Sequence, residues 1–114
     1  MKKKIYVAYT GGTIGMKASE NGYIPIKGHL TESIMAMPEF HRSEMPDFTI
    51  HEYEPLIDSS NMTPADWQRI ADDIFENYNE YDGFVVLHGT DTMAYTSSAL
   101  SFMFEDLSKP VIVT

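Results

Sequence analysis

No cysteine occurs in the 114 residues, which excludes a disulfide scaffold and any thiolate metal site. Long apolar runs are missing too. Nothing approaches the ~18 consecutive apolar residues of a membrane-spanning helix. The apolar stretch behind the lysines at 2–4 covers only residues 5–9, too short for the core of a secretory leader. Those lysines read as a solvated lead-in to a first strand. Basic residues are scarce: 8 Lys and Arg against 17 Asp and Glu give a formal net charge of −9. A surface of that sign repels nucleic acid and anionic lipid, so neither is expected as a partner. Repeats, low-complexity tracts and clusters of metal-ligand spacing are absent as well, and neither metal nor cofactor is expected.

What is present is ordinary for a globular domain. Hydrophobic residues make up 43% and charged residues 22%, enough for one domain with its own core. The chain is organised around residues 82–104. Asp82-Gly83 opens a short apolar run at 84–87, the pattern of a strand buried on both faces. After His88-Gly89 the period changes, and Met93, Thr96, Ser97, Leu100, Met103, Phe104 and Leu107 fall at helical spacing. Thr90, Asp91 and Thr92 lie between strand and helix. Helix capping accounts for such residues on its own, but a strand feeding a helix through a polar turn is also where open α/β sheets build their sites.

Other segments repeat that arrangement. Residues 5–9 read as a first strand that ends in Thr10-Gly11-Gly12-Thr13-Ile14-Gly15. The glycine spacing fits neither a dinucleotide fingerprint nor a P-loop, which leaves Thr13, a hydroxyl on a turn beyond a buried strand, as the residue of interest. Asn21-Gly22 predicts a hairpin with arms at 14–16 and 23–26. That places Tyr23 on a lid-like loop, where an ordinary packed tyrosine is the alternative. Residues 29–37 read as a short helix stopped by Pro38, and 39–47 as a connecting loop. Alternation at 48–53 predicts a half-buried strand near a sheet edge, running through Pro55-Leu56-Ile57 into Asp58-Ser59-Ser60-Asn61. Thr63-Pro64 opens a helix whose apolar face is Trp67, Ile70, Ala71, Ile74, Phe75 and Tyr78, with Trp67 expected in the core. Its other face (Arg69, Asp72, Asp73, Glu76 and Asn77) reads as solvated surface. Residues 109–114 form a last strand.

Strands alternating with helices predict a doubly wound, mostly parallel α/β sheet, Rossmann-like or flavodoxin-like, with a hairpin after the first strand. Its ligand site lies beyond the carboxyl ends of the strands. Turns 10–13, 58–60 and 90–92 would all meet there. They offer an acid for an ammonium group, hydroxyls and amides for a carboxylate, and a hydroxyl free to attack. Such a hydroxyl needs a base. Lys109 starts its strand and so sits at the far end, and His88 reads as a packed or backbone-bonded residue. A strand at the terminus with no helix after it leads to the expectation that residues 1–114 are the front part of a longer protein.

At Thr10-Gly11-Gly12-Thr13-Ile14 and His88-Gly89-Thr90-Asp91-Thr92-Met93 the sequence resembles the bacterial L-asparaginase family. Ser59-Ser60, the methionines of the third helix and the missing leader resemble its cytoplasmic type I members. The resemblance implies hydrolysis of the side-chain amide of L-asparagine through a threonine-linked acyl-enzyme, without cofactor, in a cytoplasmic homodimer or homotetramer. Thr13 would be the nucleophile, and Tyr23 would orient and activate it. Thr90 would position water and support the oxyanion. Asp91 would hold the substrate ammonium and anchor the proton relay, and Ser59 would hold the carboxylate, with Asp58 and Ser60 completing that loop. The family's relay lysine and smaller C-terminal domain have no counterpart in these residues. A glutaminase, an amidotransferase subunit acting on a tRNA-linked amide, and a non-catalytic binding module are the alternatives.

Overall fold

The computed structural model describes residues 2–114. Strand β1 (Lys4–Tyr9) leads to a hairpin of β2 (Met16–Ser19) and β3 (Gly22–Pro25), then to helix α1 (His29–Met35) and strand β4 (Asp47–Glu52). Helix α2 (Pro64–Asn77), strand β5 (Gly83–Leu87), helix α3 (Met93–Met103) and strand β6 (Val111–Val113) follow. Four strands form one parallel sheet in the order β4-β1-β5-β6, while β2 and β3 pair only with each other. The doubly wound sheet and its separate hairpin are those the sequence predicts.

Alternation along β1 shows how the core is divided. Tyr6 and Ala8 point to one face, where they pack with Phe84 and Val86 against Ile70, Ala71 and Ile74 of α2 and Leu100 of α3. Val7 and Tyr9 point to the other, against Leu30 and Ile34 of α1. Because both faces are covered, β5 is apolar throughout. Strand β4 has only β1 as a neighbour, and its burial alternates as an edge strand's should.

Several boundaries differ from those expected, each for a local reason. The first hairpin arm begins at Met16, because Thr13–Gly15 is a 3₁₀ turn. Helix α1 stops at Met35, since Met37 precedes Pro38 and is extended (φ −82°, ψ 120°). The next four residues, Pro38–His41, form a 3₁₀ turn inside the expected loop. Strand β6 starts at Val111, as Pro110 has no N–H for the ladder. Helix α2 opens as predicted, with the Asp66 carboxylate accepting from the Thr63 N–H at 2.9 Å and its hydroxyl at 3.0 Å. Trp67 is half-buried rather than core, and its indole N–H donates to Thr96 Oγ1 at 3.0 Å. Phe75, expected on the apolar face of α2, is exposed, and Leu107, expected at helical spacing, lies beyond the end of α3 and is exposed too.

The solvated face of α2 needs the larger correction. Asp73 accepts from the Tyr6 hydroxyl at 2.7 Å and the Tyr53 hydroxyl at 2.6 Å. Arg69 lies over the Tyr53 ring, 4.5 Å from its centroid, and His51 Nδ1 is 2.7 Å from the Tyr6 oxygen. Helix α2 is therefore bonded to β1 and to the end of β4 through one carboxylate. Burial and the Asp73 charge push both phenols well above the usual tyrosine range. In the unfolded chain the same groups lose their protons near ~10. The native state then holds up to two more protons than the unfolded state, so stability is constant below that pH and falls as pH rises above it. Denaturant titrations between pH 9 and 11 should show this decline, and Tyr6→Phe should make it shallower.

Candidate active site

The chain leaves β1 for β4 on one side and later returns to β5 on the other. The loops after β1 and β5 therefore diverge, opening a crevice at the carboxyl ends of the two central strands. Main-chain bonds set the loops against one another. The Thr10 N–H and hydroxyl both donate to the Leu87 carbonyl, at 2.9 and 2.8 Å. The Thr10 carbonyl accepts from the Ile57 N–H at 2.7 Å. Loop 10–13 thus lies between the loops that follow β4 and β5. A Cβ at Gly11 would stand 2.2 Å from the Ile57 carbonyl oxygen, so no larger residue fits without moving backbone. The Tyr9 hydroxyl donates to the Gly12 carbonyl at 2.7 Å. Burial raises the pKa of that phenol, which keeps the proton it donates.

The second loop is fixed from two directions. Asp58 Oδ1 accepts from the Ser60 N–H at 3.0 Å and its hydroxyl at 2.9 Å, closing a turn. Ser59 is buried, and its carbonyl accepts from the Thr92 hydroxyl at 2.6 Å. A Cβ at Gly89 would meet Ser59 Oγ at 2.5 Å, so the third loop can approach only because residue 89 is glycine. Thr92 was expected among the hydroxyls of the site, and the structure uses its hydroxyl to tie the second loop to the third. His88 is buried, with Nδ1 2.5 Å from the Gly89 carbonyl and Nε2 2.8 Å from Thr96 Oγ1. The reading of His88 as a packed, backbone-bonded residue holds.

Between the loops is a cleft of about 660 Å³, the size of a small-molecule site. Thr13, Asp58, Ser59, Thr90 and Asp91 all line it, and among the described residues no lysine or arginine does. The sequence-predicted residues that line the cleft come from three separate turns. The wall is acidic through Asp58 and Asp91, which suits a bound ammonium group. The peptide N–H groups at the start of α3 offer the opposite polarity nearby.

Two predicted residues stand apart. Tyr23 is on β3 opposite Ala18, 65% exposed and outside the cleft wall. Tyr23 is therefore not among the residues of the cleft wall, although Met16 and Pro25 of the same hairpin are. Ser60 is also outside the wall, its hydroxyl turned to Asp58. Pro25 from the hairpin and Thr114 beyond β6 line the cleft and were not singled out. For Thr114 the signal was available, since it is another hydroxyl just past a strand's carboxyl end.

A switch-point cleft lined by threonines, a serine and carboxylates, at the carboxyl edge of a parallel sheet, marks an open α/β domain. The family of N-terminal asparaginase domains matches residues 4–114, and the chain belongs to it. L-asparaginase 1 of Escherichia coli (strain K12) is 74% identical over 113 residues, covering 99% of this chain and 33% of the relative. The crystal structure of L-asparaginase I from Vibrio cholerae superposes with a TM-score of 0.90 at 70% identity, over 99% of this chain and 34% of the other. A probable cytoplasmic L-asparaginase from Campylobacter jejuni gives 0.74 at 31% identity, over 98% and 32%. The chain thus spans about a third of the length of the relatives it matches. No helix among the described residues is long and apolar enough to cross a membrane.

Proposed function

We propose that the cleft hydrolyses the side-chain amide of L-asparagine to L-aspartate and ammonia, with Thr13 as nucleophile. One observation carries this reading: Thr13, Thr90, Asp91, Asp58 and Ser59, from three turns, share one cleft wall. The Thr13 hydroxyl attacks the amide carbonyl carbon. The C–N bond then breaks, ammonia leaves with the hydroxyl's proton, and a β-aspartyl ester remains on Thr13. Water, held by Thr90, cleaves that ester to aspartate and restores the threonine. Asp91 holds the α-ammonium, and Ser59 and the turn closed by Asp58 and Ser60 hold the α-carboxylate. Tyr23 reaches Thr13 when the hairpin folds over the cleft, which gives the closed state a group to orient the nucleophile.

This chemistry needs no cofactor. The protein works in the cytoplasm as a homodimer or homotetramer, and a subunit contact completes the site. The test measures ammonia release from L-asparagine and L-glutamine by two proteins. One is this chain, and the other is this chain fused to the remaining two thirds of the E. coli relative. Release from asparagine, with a trapped acyl adduct on the peptide containing Thr13, is the expected result. A folded fusion that binds asparagine without ever forming the adduct would instead identify a binding module. Preferential release from a tRNA-linked amide would identify an amidotransferase subunit.

A further inference from the structure

The three hydrogen-bonding groups behind the third loop form a chain whose direction is fixed by their chemistry. A carbonyl oxygen only accepts, so the 2.5 Å contact between His88 Nδ1 and the Gly89 carbonyl places a proton on Nδ1. An indole N–H only donates, so Thr96 Oγ1 accepts from Trp67 at 3.0 Å. The Thr96 hydroxyl then has its own proton to give to His88 Nε2 at 2.8 Å. The order runs from Trp67 through Thr96 and His88 to the Gly89 carbonyl. Thr96 is fully buried at 0% exposure and His88 at 6%, so water does not compete for these groups.

The Gly89 carbonyl and the Thr90 N–H belong to one rigid peptide plane and point in opposite directions. Holding the carbonyl against His88, on the buried side, turns the Thr90 N–H away from the core. Residues 88–91 line the cleft, and among the described residues no acceptor meets the Thr90 N–H. We infer that His88, Thr96 and Trp67 are positioning residues whose joint task is to aim the Thr90 N–H into the cleft as an oxyanion donor. Hydrogen bonding at the carbonyl also polarises the peptide and strengthens its N–H as a donor, by roughly 10–30% per bond in a chain. Thr96 and Trp67 lie outside the cleft lining, and His88 acts through the peptide it holds. This inference rests on the amidohydrolase reading for its catalytic consequence, but the peptide orientation can be tested without it.

Two substitutions separate this role from simple packing. Thr96→Val keeps the shape and removes the hydroxyl, whereas Thr96→Ser keeps the hydroxyl. His88→Leu removes both ring nitrogens, whereas the amide nitrogen of His88→Asn takes roughly the position of Nδ1. In ¹⁵N-labelled chain without ligand, the His88 ring should carry its proton on Nδ1. The Thr90 amide resonance should move in His88→Leu and Thr96→Val, and return toward wild type in His88→Asn and Thr96→Ser. A proton found on Nε2 alone, or a Thr90 amide unmoved in His88→Leu, would overturn the inference whatever the protein turns over. In whichever form releases ammonia, kcat should fall about tenfold in Thr96→Val and about a hundredfold in His88→Leu, with KM changed less than threefold, the signature of a lost transition-state donor. Equal kcat in Val and Ser variants at position 96 would also overturn it. Failure of ammonia release in every form, with the resonances as expected, would count against the amidohydrolase reading and leave the orienting role intact.

Discussion

Thr13→Ala is expected to lower ammonia release from L-asparagine by ~10³-fold or more, because the proposed mechanism gives the ester bond to the Thr13 hydroxyl. The nucleophile of a two-step displacement cannot be replaced by better binding elsewhere. Stability should barely change. Thr13 is exposed, in a three-residue 3₁₀ turn, and its side chain anchors neither neighbouring loop. Surface changes of that kind stay within about ±0.5 kcal/mol. Asparagine binding should persist, since the proposed function assigns its charged groups to Asp91 and Ser59 and not to Thr13. The measurement is ammonia release alongside a denaturant midpoint and an isothermal titration on the same variant. Turnover surviving in a folded Thr13→Ala protein would move the nucleophile elsewhere, with Thr90 the next candidate on the same wall.

Asp73→Ala should destabilise the chain by about 3–4 kcal/mol, a large part of the ~5–15 kcal/mol typical of a domain. Its carboxylate receives two hydroxyls at 2.7 and 2.6 Å, and hydrogen bonds to a charged group contribute about 1.5–3 kcal/mol each. Truncation also strands the Tyr53 hydroxyl, on a residue 3% exposed, whereas the Tyr6 hydroxyl keeps His51 Nδ1 at 2.7 Å, so the penalty includes the unmet desolvation of one phenol. Asp73→Asn keeps one acceptor oxygen and should cost about half as much. Urea unfolding followed by Trp67 fluorescence separates the two. A loss under 1 kcal/mol for alanine would show that water replaces the carboxylate. Because the Tyr53 N–H also bonds the Tyr9 carbonyl at 2.9 Å, the alanine variant should loosen the start of the segment that ends in Ser59.

The two outcomes also show where the sequence is informative. Thr13, Asp58, Ser59, Thr90 and Asp91 could be placed together from sequence because a parallel sheet carries every strand's carboxyl end to the same edge, so polar turns after strands converge whatever the details of packing. The Asn21-Gly22 turn and the Thr63-Pro64 helix start were legible for a similar reason: the residues themselves dictate the backbone. Asp73 was misread because helical periodicity distinguishes faces of one helix and not what a neighbouring strand offers. Tyr6 and Tyr53 reach across the sheet with polar tips, and a pattern of apolar and polar letters counts them as core alone. Tyr23 was expected on the hairpin and lies there, but its distance from the cleft wall depends on tertiary contacts that residues 16–25 do not encode.

The main-chain bonds among Thr10, Leu87 and Ile57 have a consequence for how this site could be altered. A frame joined backbone to backbone is indifferent to the side chains it displays, so positions 13, 90 and 91 behave like interchangeable fittings in a fixed socket. Replacing them should redirect the chemistry and leave the architecture standing, whereas enlarging Gly11 or Gly89 would jam the socket itself. Re-engineering for a new substrate therefore has a natural division of labour: vary the fittings, and hold the two glycines constant.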